Sequence, residues 1–167
     1  PFRIPTLDET LAWAEGRAIL TLDVKQGVPI ARVINAVRRL GAEERVVVIT
    51  YTLDDLLRYH RQAPDLMLSA SATTLEETQA LLDSGVDRSR LIAFTGVGEV
   101  HSEVIDLLHV HHIRAILGTF DLVDARARQT GPEVFQALID RGIDVIATDE
   151  VPLAAQALRA YALTQVP

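Results

Sequence analysis

The sequence predicts an α/β protein built on a parallel β-sheet, and two features of the chain lead to this expectation. Short apolar runs rich in β-branched residues alternate with segments that have the spacing of amphipathic helices. Most of the runs are continuous rather than alternating in polarity, which is typical of parallel strands covered on both faces. The six predicted strands are residues 18–24, 45–50, 66–69, 91–94, 114–117 and 144–147.

The segments between the strands place apolar residues at intervals of three and four, which puts them on one face of a helix. The clearest sets are Ile30, Val33, Ile34 and Val37; Leu53, Leu56, Leu57 and His60; and Val104, Leu107 and Leu108. We therefore expect helices to connect the strands, as parallel pairing requires.

The predicted helices have recognisable starts and ends. Three starts resemble a capping box, in which a hydroxyl and a carboxylate three residues later satisfy free amide groups. These pairs are Thr6 with Glu9, Thr52 with Asp55, and Thr74 with Glu77. Glycines that end a helix before a strand stand at positions 41, 85 and 142. The order is a leading helix followed by six β/α units.

The composition is typical of a soluble globular protein and indicates no compartment. The 167 residues are 49% hydrophobic and 23% charged, so we expect one domain over residues 1–167. The net charge of −7 argues against a nucleic-acid partner, which needs a basic surface, but allows a small phosphate ester. Cysteine is absent, which excludes disulfides and thiolate metal sites. No run has the roughly 18 apolar residues of a membrane span.

Two architectures fit six β/α units, an open doubly wound sheet and a barrel. A doubly wound fold usually carries a glycine-rich phosphate loop after its first strand, whereas here that segment contains only Gly27. A complete eight-stranded barrel takes about 250 residues, so a barrel would be short by about two units. Periodicity alone leaves both possibilities open.

In either fold the functional edge is formed by the carboxyl ends of the strands. This location selects Asp23, Lys25, Thr50, Tyr51, Ser69, Ser71, Thr95, Thr119, Phe120, Thr148, Asp149 and Glu150. Asp23 and Lys25 are the sharpest pair, because residues two apart on a strand point to the same face. They could provide an oxygen ligand for a hard divalent cation beside a lysine that neutralises phosphate, or form a plain salt bridge.

Other polar residues have structural explanations that we favour. His109, His111 and His112 come at the end of a helix and just before a strand, which places them at the opposite edge. His101 is on the functional side, but one loop histidine is a poor catalytic signal. Asp149 is expected to cap the last helix, since Pro152 suits a first helical turn.

Two segments resemble the glycerophosphodiester phosphodiesterase family. Residues 4–9 read Ile-Pro-Thr-Leu-Asp-Glu and residues 22–25 read Leu-Asp-Val-Lys, similar to the family's Pro-Thr-Leu-x-Glu helix start and its strand ending in Glu-x-Lys or Asp-x-Lys. Residues 142–149 read Gly-Ile-Asp-Val-Ile-Ala-Thr-Asp, similar to the family's last strand. The resemblance extends from about residue 4 to about residue 158.

The resemblance implies a (β/α)8 TIM barrel that hydrolyses glycerophosphodiesters to glycerol 3-phosphate and an alcohol. The family uses Mg or Ca held by three carboxylates, with two histidines as general acid and base. Asp23 resembles the third metal ligand, and Lys25 resembles the catalytic lysine that contacts the phosphate. Phe120 is a candidate for the substrate-stacking position where the family has a tryptophan. The family's His-Arg-Gly, Glu-x-Asp and His-Asp motifs do not occur in this sequence.

We therefore expect this chain to be a partial barrel whose first two β/α units are missing, whether disordered, cleaved, deleted or carried by another chain. Alone it should be inactive, and its open sheet edges should be covered by another copy or a partner segment. The expected partner is a small-molecule glycerophosphodiester. The alternatives are a degenerate barrel that acts as a phosphate-binding or scaffold module, and another phosphate-handling open α/β protein.

Overall fold

The computed structural model describes residues 3–164, which form eight α-helices and six β-strands. The helices are α1 Leu7–Trp13, α2 Ile30–Arg39, α3 Leu53–Gln62, α4 Leu75–Leu82, α5 Ser102–Val110, α6 Leu122–Thr130, α7 Glu133–Ile139 and α8 Val151–Thr164. The strands are β1 Leu20–Leu22, β2 Val46–Ile49, β3 Met67–Ser71, β4 Leu91–Val97, β5 Arg114–Gly118 and β6 Val145–Ala147. Each predicted strand is confirmed, with shifts of a few residues at its ends. No helix in this part of the chain is long and apolar enough to cross a membrane.

The strands form one sheet in the order β1-β2-β3-β4-β5-β6, which is also their order along the chain. A doubly wound sheet reverses its direction of strand addition at a switch point, and no reversal occurs here. Because parallel crossovers are right-handed, strands added in one direction place every crossover helix on the same face. This order is that of part of a (β/α)8 barrel, and the open doubly wound alternative is wrong.

The chain divides into two compact units. The first comprises the residues up to Ala70 together with Ser84–Leu91, and so contains β1, β2 and most of β3. β1 pairs in parallel with β2, with Leu20 opposite Val46, and β2 pairs in parallel with β3. Its buried core includes Leu11, Val37, Val46, Val48, Leu56, Leu66 and Leu68. These side chains come from α1, α2 and α3 as well as from the strands, so the helices cover one face of this part of the sheet.

The second unit comprises Ser71–Asp83 and the residues from Ile92 onward. β4 pairs in parallel with β5, and β5 with β6. The register between β4 and β5 shifts between Phe94 and Val97. The core of this unit includes Ile105, Leu108, Ile113, Leu117 and Phe135.

The helix starts follow the predicted caps, but the reciprocal half of the capping box is present in the first of the three and not in the other two. Thr6 and Glu9 form a complete capping box, and the Thr52 hydroxyl accepts from the backbone of Asp55. The Thr74 hydroxyl likewise accepts from the Glu77 amide. The Glu77 carboxylate, however, accepts from the backbone and hydroxyl of Thr73, each at 2.7 Å, rather than from the amide of Thr74. The reciprocal half of that box is therefore displaced by one residue.

The predicted buried face of α3 is partly wrong. The residues of α3 that are buried are Leu56 and Tyr59, whereas Leu53 is 42% exposed. Leu53 is the first residue of the helix, where the chain enters from the surface, and Leu56 and Tyr59 follow the three-residue spacing of one face. Leu57 and His60 lie at the margin of that face.

Strands β1 and β6 end the sheet. Within residues 3–164, β1 pairs only with β2, and β6 pairs only with β5. Val145 of β6 is 39% exposed, and Ile19 beside β1 is 68% exposed. Unpaired strand edges of this kind can pair with further strands. We therefore still predict that another copy or a partner segment covers them.

Candidate functional site

The predicted pair Asp23 and Lys25 lies directly after β1, together with Tyr51 from the end of β2. The Lys25 ammonium contacts Asp23 Oδ2. The Tyr51 hydroxyl donates a hydrogen bond of 2.9 Å to Asp23 Oδ1. Parallel pairing of β1 with β2 puts their carboxyl ends at one edge, which is why residues 28 positions apart meet. We call these three residues the carboxyl-end cluster.

The charges of the carboxyl-end cluster stabilise one another. The hydrogen bond from Lys25, followed by that from Tyr51, lowers the pKa of Asp23 below its ordinary value. Hydrogen bonding to Asp23 raises the pKa of Lys25 and also raises the pKa of the Tyr51 phenol. The carboxylate and the ammonium are therefore both charged at neutral pH, and Tyr51 is a donor.

The cluster is open to solvent. The Lys25 side chain is 78% exposed and that of Asp23 is 37% exposed. Exposed ion pairs add little to folding stability, because water already solvates both charges. Within residues 3–164 the Lys25 ammonium, which has three donor positions, bonds only to Asp23, so the lysine can contact an anion while it keeps its carboxylate partner.

The described residues do not complete a divalent cation site by themselves. Between residues 3 and 164 there is no group of three or more histidine and carboxylate side chains that could hold a metal ion. Mg²⁺ and Ca²⁺ take six or more oxygen ligands, usually from several carboxylates and waters. Asp23 could supply one ligand, but its two oxygens already accept from Lys25 and Tyr51.

A cavity of about 670 Å³ adjoins the carboxyl-end cluster. Loop residues 24–30 line it, together with Tyr51, Asp55, Arg58 and Tyr59 from the end of β2 and from α3. We call it the β1–α2 pocket, after the loop that forms one wall. Lys25 and Tyr51 belong to both the pocket and the cluster, so the pocket opens beside the candidate phosphate-binding lysine.

Phe120 belongs to the second unit, two residues after β5. Its ring lies over Gly118: a Cβ atom on this glycine would be 3.1 Å from Phe120 Cε2 and 3.1 Å from Val97 Cγ2. The ring is held close to the backbone there, yet Phe120 remains 39% exposed. Asp121, the next residue, has a φ of 63°, which is uncommon for a residue other than glycine. The aromatic side chain therefore has a defined position and an accessible surface.

Other strand-end residues bond to the neighbouring strand. The Thr50 hydroxyl donates to the Ser69 carbonyl at 2.9 Å, and the Thr95 hydroxyl donates to the Ile116 carbonyl at 3.0 Å. Both threonines are buried. Their hydroxyls complete the hydrogen bonding between neighbouring strands and are not accessible to a ligand.

Sequence analysis did not identify Asp124, a carboxylate in α6 that is only 2% exposed. It accepts from the hydroxyls of Thr119 and Thr148 at 2.7 Å each and from the Asp149 backbone at 2.9 Å. Burial acts to raise its pKa, but the hydrogen bonds from Thr119, Thr148 and Asp149 outweigh burial and lower it. Asp124 thus joins the carboxyl ends of β5 and β6 to α6. Helical periodicity cannot distinguish such a buried acid from an exposed one.

The expectation that Asp149 caps α8 is wrong by one residue. The helix begins at Val151, and the carbonyl of Glu150 accepts from Leu153 and Ala154. The amide of Asp149 instead donates to Asp124. Pro152 is therefore at the second helical position rather than the first.

The histidines lie where the sequence predicted. His109, near the end of α5, contacts Asp144 through Nε2 at 2.9 Å, and Asp144 also accepts from the Ala115 backbone. These contacts tie α5 to the amino-terminal ends of β5 and β6. His101 precedes α5 and makes no side-chain cap to it.

No protein family model and no curated protein matches this sequence, whereas solved structures do. A glycerophosphoryl diester phosphodiesterase from Parabacteroides distasonis ATCC 8503 aligns with a TM-score of 0.84 and 29% sequence identity, over 95% of this chain and 56% of that one. A glycerophosphodiester phosphodiesterase from the same organism aligns with a TM-score of 0.65 and 20% identity, over 95% of this chain and 65% of that one.

These comparisons confirm the resemblance to glycerophosphodiester phosphodiesterases and the partial (β/α)8 barrel fold. The chain spans 56% and 65% of the length of the two solved structures.

Proposed function

We propose that this chain is the larger part of a barrel that hydrolyses glycerophosphodiesters to glycerol 3-phosphate and an alcohol. The carboxyl-end cluster carries the proposal: Asp23 and Lys25 match the family's Asp-x-Lys motif and meet at the functional edge of the sheet. Similarity to a glycerophosphoryl diester phosphodiesterase at 29% identity supports the general function.

In this proposal Lys25 binds the phosphate and stabilises its negative charge during hydrolysis. Its side chain is 78% exposed, and hydrogen bonding to Asp23 raises its pKa, so the ammonium is available and charged. A positioned ammonium stabilises charge that develops on a phosphoryl group more strongly than water does, because it needs no reorganisation.

Asp23 is the proposed contribution of this chain to a Mg or Ca site. Its carboxylate is ionised, and it lies beside the lysine proposed to hold the phosphate. When bound, the cation would neutralise phosphate charge. The remaining ligands would have to come from outside the described residues, in keeping with the absence of the Glu-x-Asp motif.

Phe120 is proposed to contact the substrate with its ring. A fixed aromatic face is suited to packing against the carbon skeleton of glycerol or of the alcohol. The position of the Phe120 ring over Gly118, where a Cβ atom would collide with it, supports this role, because the ring is placed there and remains 39% exposed.

The general acid and base are the parts of the mechanism that this chain is proposed to lack. None of its histidines lies in the motifs that carry those roles in the family, and His109 is already paired with Asp144. Loss of one general acid or base costs at least about 100-fold in rate. We therefore propose that the chain is inactive without the two preceding β/α units.

The second candidate function is a phosphate-binding or scaffold module without turnover. One observation favours it: both oxygens of Asp23 accept from protein donors, which is a stable arrangement that needs no cation. In this case Lys25 would bind phosphate esters, and divalent ions would not change the affinity.

The test is an assay for glycerol 3-phosphate released from glycerophosphocholine, with Mg²⁺ or Ca²⁺ and with EDTA. It compares this chain with a form extended upstream through two further β/α units. The enzyme hypothesis predicts release by the extended form only, abolished by EDTA and reduced at least 100-fold by Lys25→Ala. Absence of release by the extended form would favour the module.

A further inference from the structure

The β1–α2 pocket is large enough for more than the phosphate. Its volume of about 670 Å³ is within the range of about 300–1,000 Å³ typical of small-molecule sites. One wall is the loop after β1, and another is formed by Asp55, Arg58 and Tyr59 of α3. Because the pocket begins at Lys25 and Tyr51, a diester whose phosphate contacts Lys25 can extend its alcohol into it.

The charged groups that line the pocket are Lys25, Asp55 and Arg58. Lys25 contacts Asp23, and the carboxylate of Asp55 accepts from the Thr52 hydroxyl at 3.0 Å. Arg58 Nη1 is 3.6 Å from Asp55 Oδ1, which is beyond hydrogen-bond distance. The guanidinium is half exposed and has no shorter ion pair within residues 3–164.

Arg58 therefore presents a guanidinium whose donors are not committed to Asp55. A planar guanidinium binds a carboxylate through two parallel hydrogen bonds, a geometry that a lysine cannot match. The charge of Lys25 is already balanced by Asp23, so the preference depends on Arg58. A carboxylate beside Arg58 would accept from its guanidinium, whereas a quaternary ammonium there would be repelled by the same charge.

We propose that the β1–α2 pocket binds the alcohol part of the diester and that Arg58 makes it prefer alcohols bearing a carboxylate. This inference rests on the function proposed above, because it takes Lys25 as the phosphate-binding residue. Arg58 is a specificity-determining residue in this account: it selects the alcohol and takes no part in cleavage.

The test uses the full chain and two diesters, glycerophosphoserine, whose alcohol carries a carboxylate, and glycerophosphocholine, whose alcohol is a quaternary ammonium. Dissociation constants are measured by calorimetry or ligand-observed NMR. The expected preference for glycerophosphoserine is about fivefold, the size of a favourable exposed ion pair. Arg58→Gln should remove this preference while glycerophosphocholine binds at least as well as before.

Two further variants make the test specific. Arg61→Gln removes the same charge from the exposed surface of α3, outside the pocket lining, and should leave the preference intact. Asp55→Asn removes the competing carboxylate and should strengthen glycerophosphoserine binding, while its backbone amide still donates to Thr52.

Equal affinity for both diesters in the unaltered chain, or a preference that survives Arg58→Gln, would overturn the inference and leave the proposed function standing. Absence of binding by either diester would overturn both. Loss of the preference in Arg61→Gln would attribute it to net charge, which also contradicts a role for the pocket.

Discussion

The Tyr51 hydroxyl donates a hydrogen bond of 2.9 Å to Asp23 Oδ1, and this contact joins the carboxyl ends of β1 and β2. Because Lys25 contacts the other oxygen, the Asp23 carboxylate is oriented by one neutral and one charged donor. The proposed function depends on this orientation, which presents the lysine and the carboxylate side by side.

Tyr51→Phe should raise the pKa of Asp23, because it removes one of the two hydrogen bonds that lower that pKa. The pKa should remain below its ordinary value, since Lys25 still contributes the larger effect. NMR titration of the Asp23 carboxyl carbon measures the pKa in the unaltered protein and in Tyr51→Phe. Tyr161→Phe, which removes a hydroxyl from α8, is the control. An unchanged pKa in Tyr51→Phe would mean that the hydrogen bond does not persist in solution.

Asp124→Ala should destabilise the fold by about 3 kcal/mol, because it removes the shared acceptor of three hydrogen bonds, one buried and two part-buried, and leaves Thr119 only the Ala147 carbonyl. Urea denaturation provides the measurement. Asp106→Ala, an exposed acid on α5, should change the free energy of unfolding by less than about 0.5 kcal/mol. Equal effects of the two substitutions would contradict the proposed role of Asp124 in joining β5, β6 and α6.

The same carboxylate predicts a pH dependence. The pKa of Asp124 is lower in the folded protein than its ordinary value, so ionised Asp124 stabilises the fold. This stabilisation is complete above the unfolded pKa, about 3.9 for aspartate, and is lost as the pH falls through the folded pKa. Urea midpoints measured between about pH 5 and pH 2.5 should therefore fall more steeply in the unaltered protein than in Asp124→Asn. Urea midpoints that fall equally in both proteins would show that ionisation of Asp124 does not contribute to this pH dependence.

Gly118→Ala should displace Phe120 and destabilise the protein by about 1–2 kcal/mol, since the new Cβ would be 3.1 Å from the ring and from Val97. The φ of Gly118 is not in the left-handed region, so the cost is steric. In a double-mutant cycle, Phe120→Ala should relieve part of it, which gives a non-additive free energy. Strict additivity would mean that the ring does not lie over the glycine.

Much of the fold could be predicted from the sequence because buried parallel strands and capped helices have local signals. The continuous apolar runs located all six strands, and the Thr6 and Glu9 pair located a capping box. Periodicity could not decide between a barrel and an open sheet, since that choice depends on strand order, which local patterns do not encode. The barrel was predicted from the resemblance of the motifs at residues 4–9, 22–25 and 142–149 to those of a known family.

The site could be predicted only in part for a similar reason. Asp23 and Lys25 are two residues apart in the segment directly after β1, so their meeting is local in the chain. Tyr51 reaches Asp23 only through the pairing of β1 with β2, and Asp124 reaches Thr148 only through the pairing of β5 with β6. The error on α3, where Tyr59 rather than Leu53 is buried, arises because apolar spacing does not show where a helix enters the core.

The most direct test of the central claim, that the carboxyl-end cluster binds a phosphate ester, is titration of this chain with glycerol 3-phosphate followed by ³¹P NMR. We expect saturable binding that Lys25→Ala weakens by about fivefold or more and that Lys25→Arg largely retains, because the positive charge remains. Binding that is unchanged in Lys25→Ala would contradict the claim.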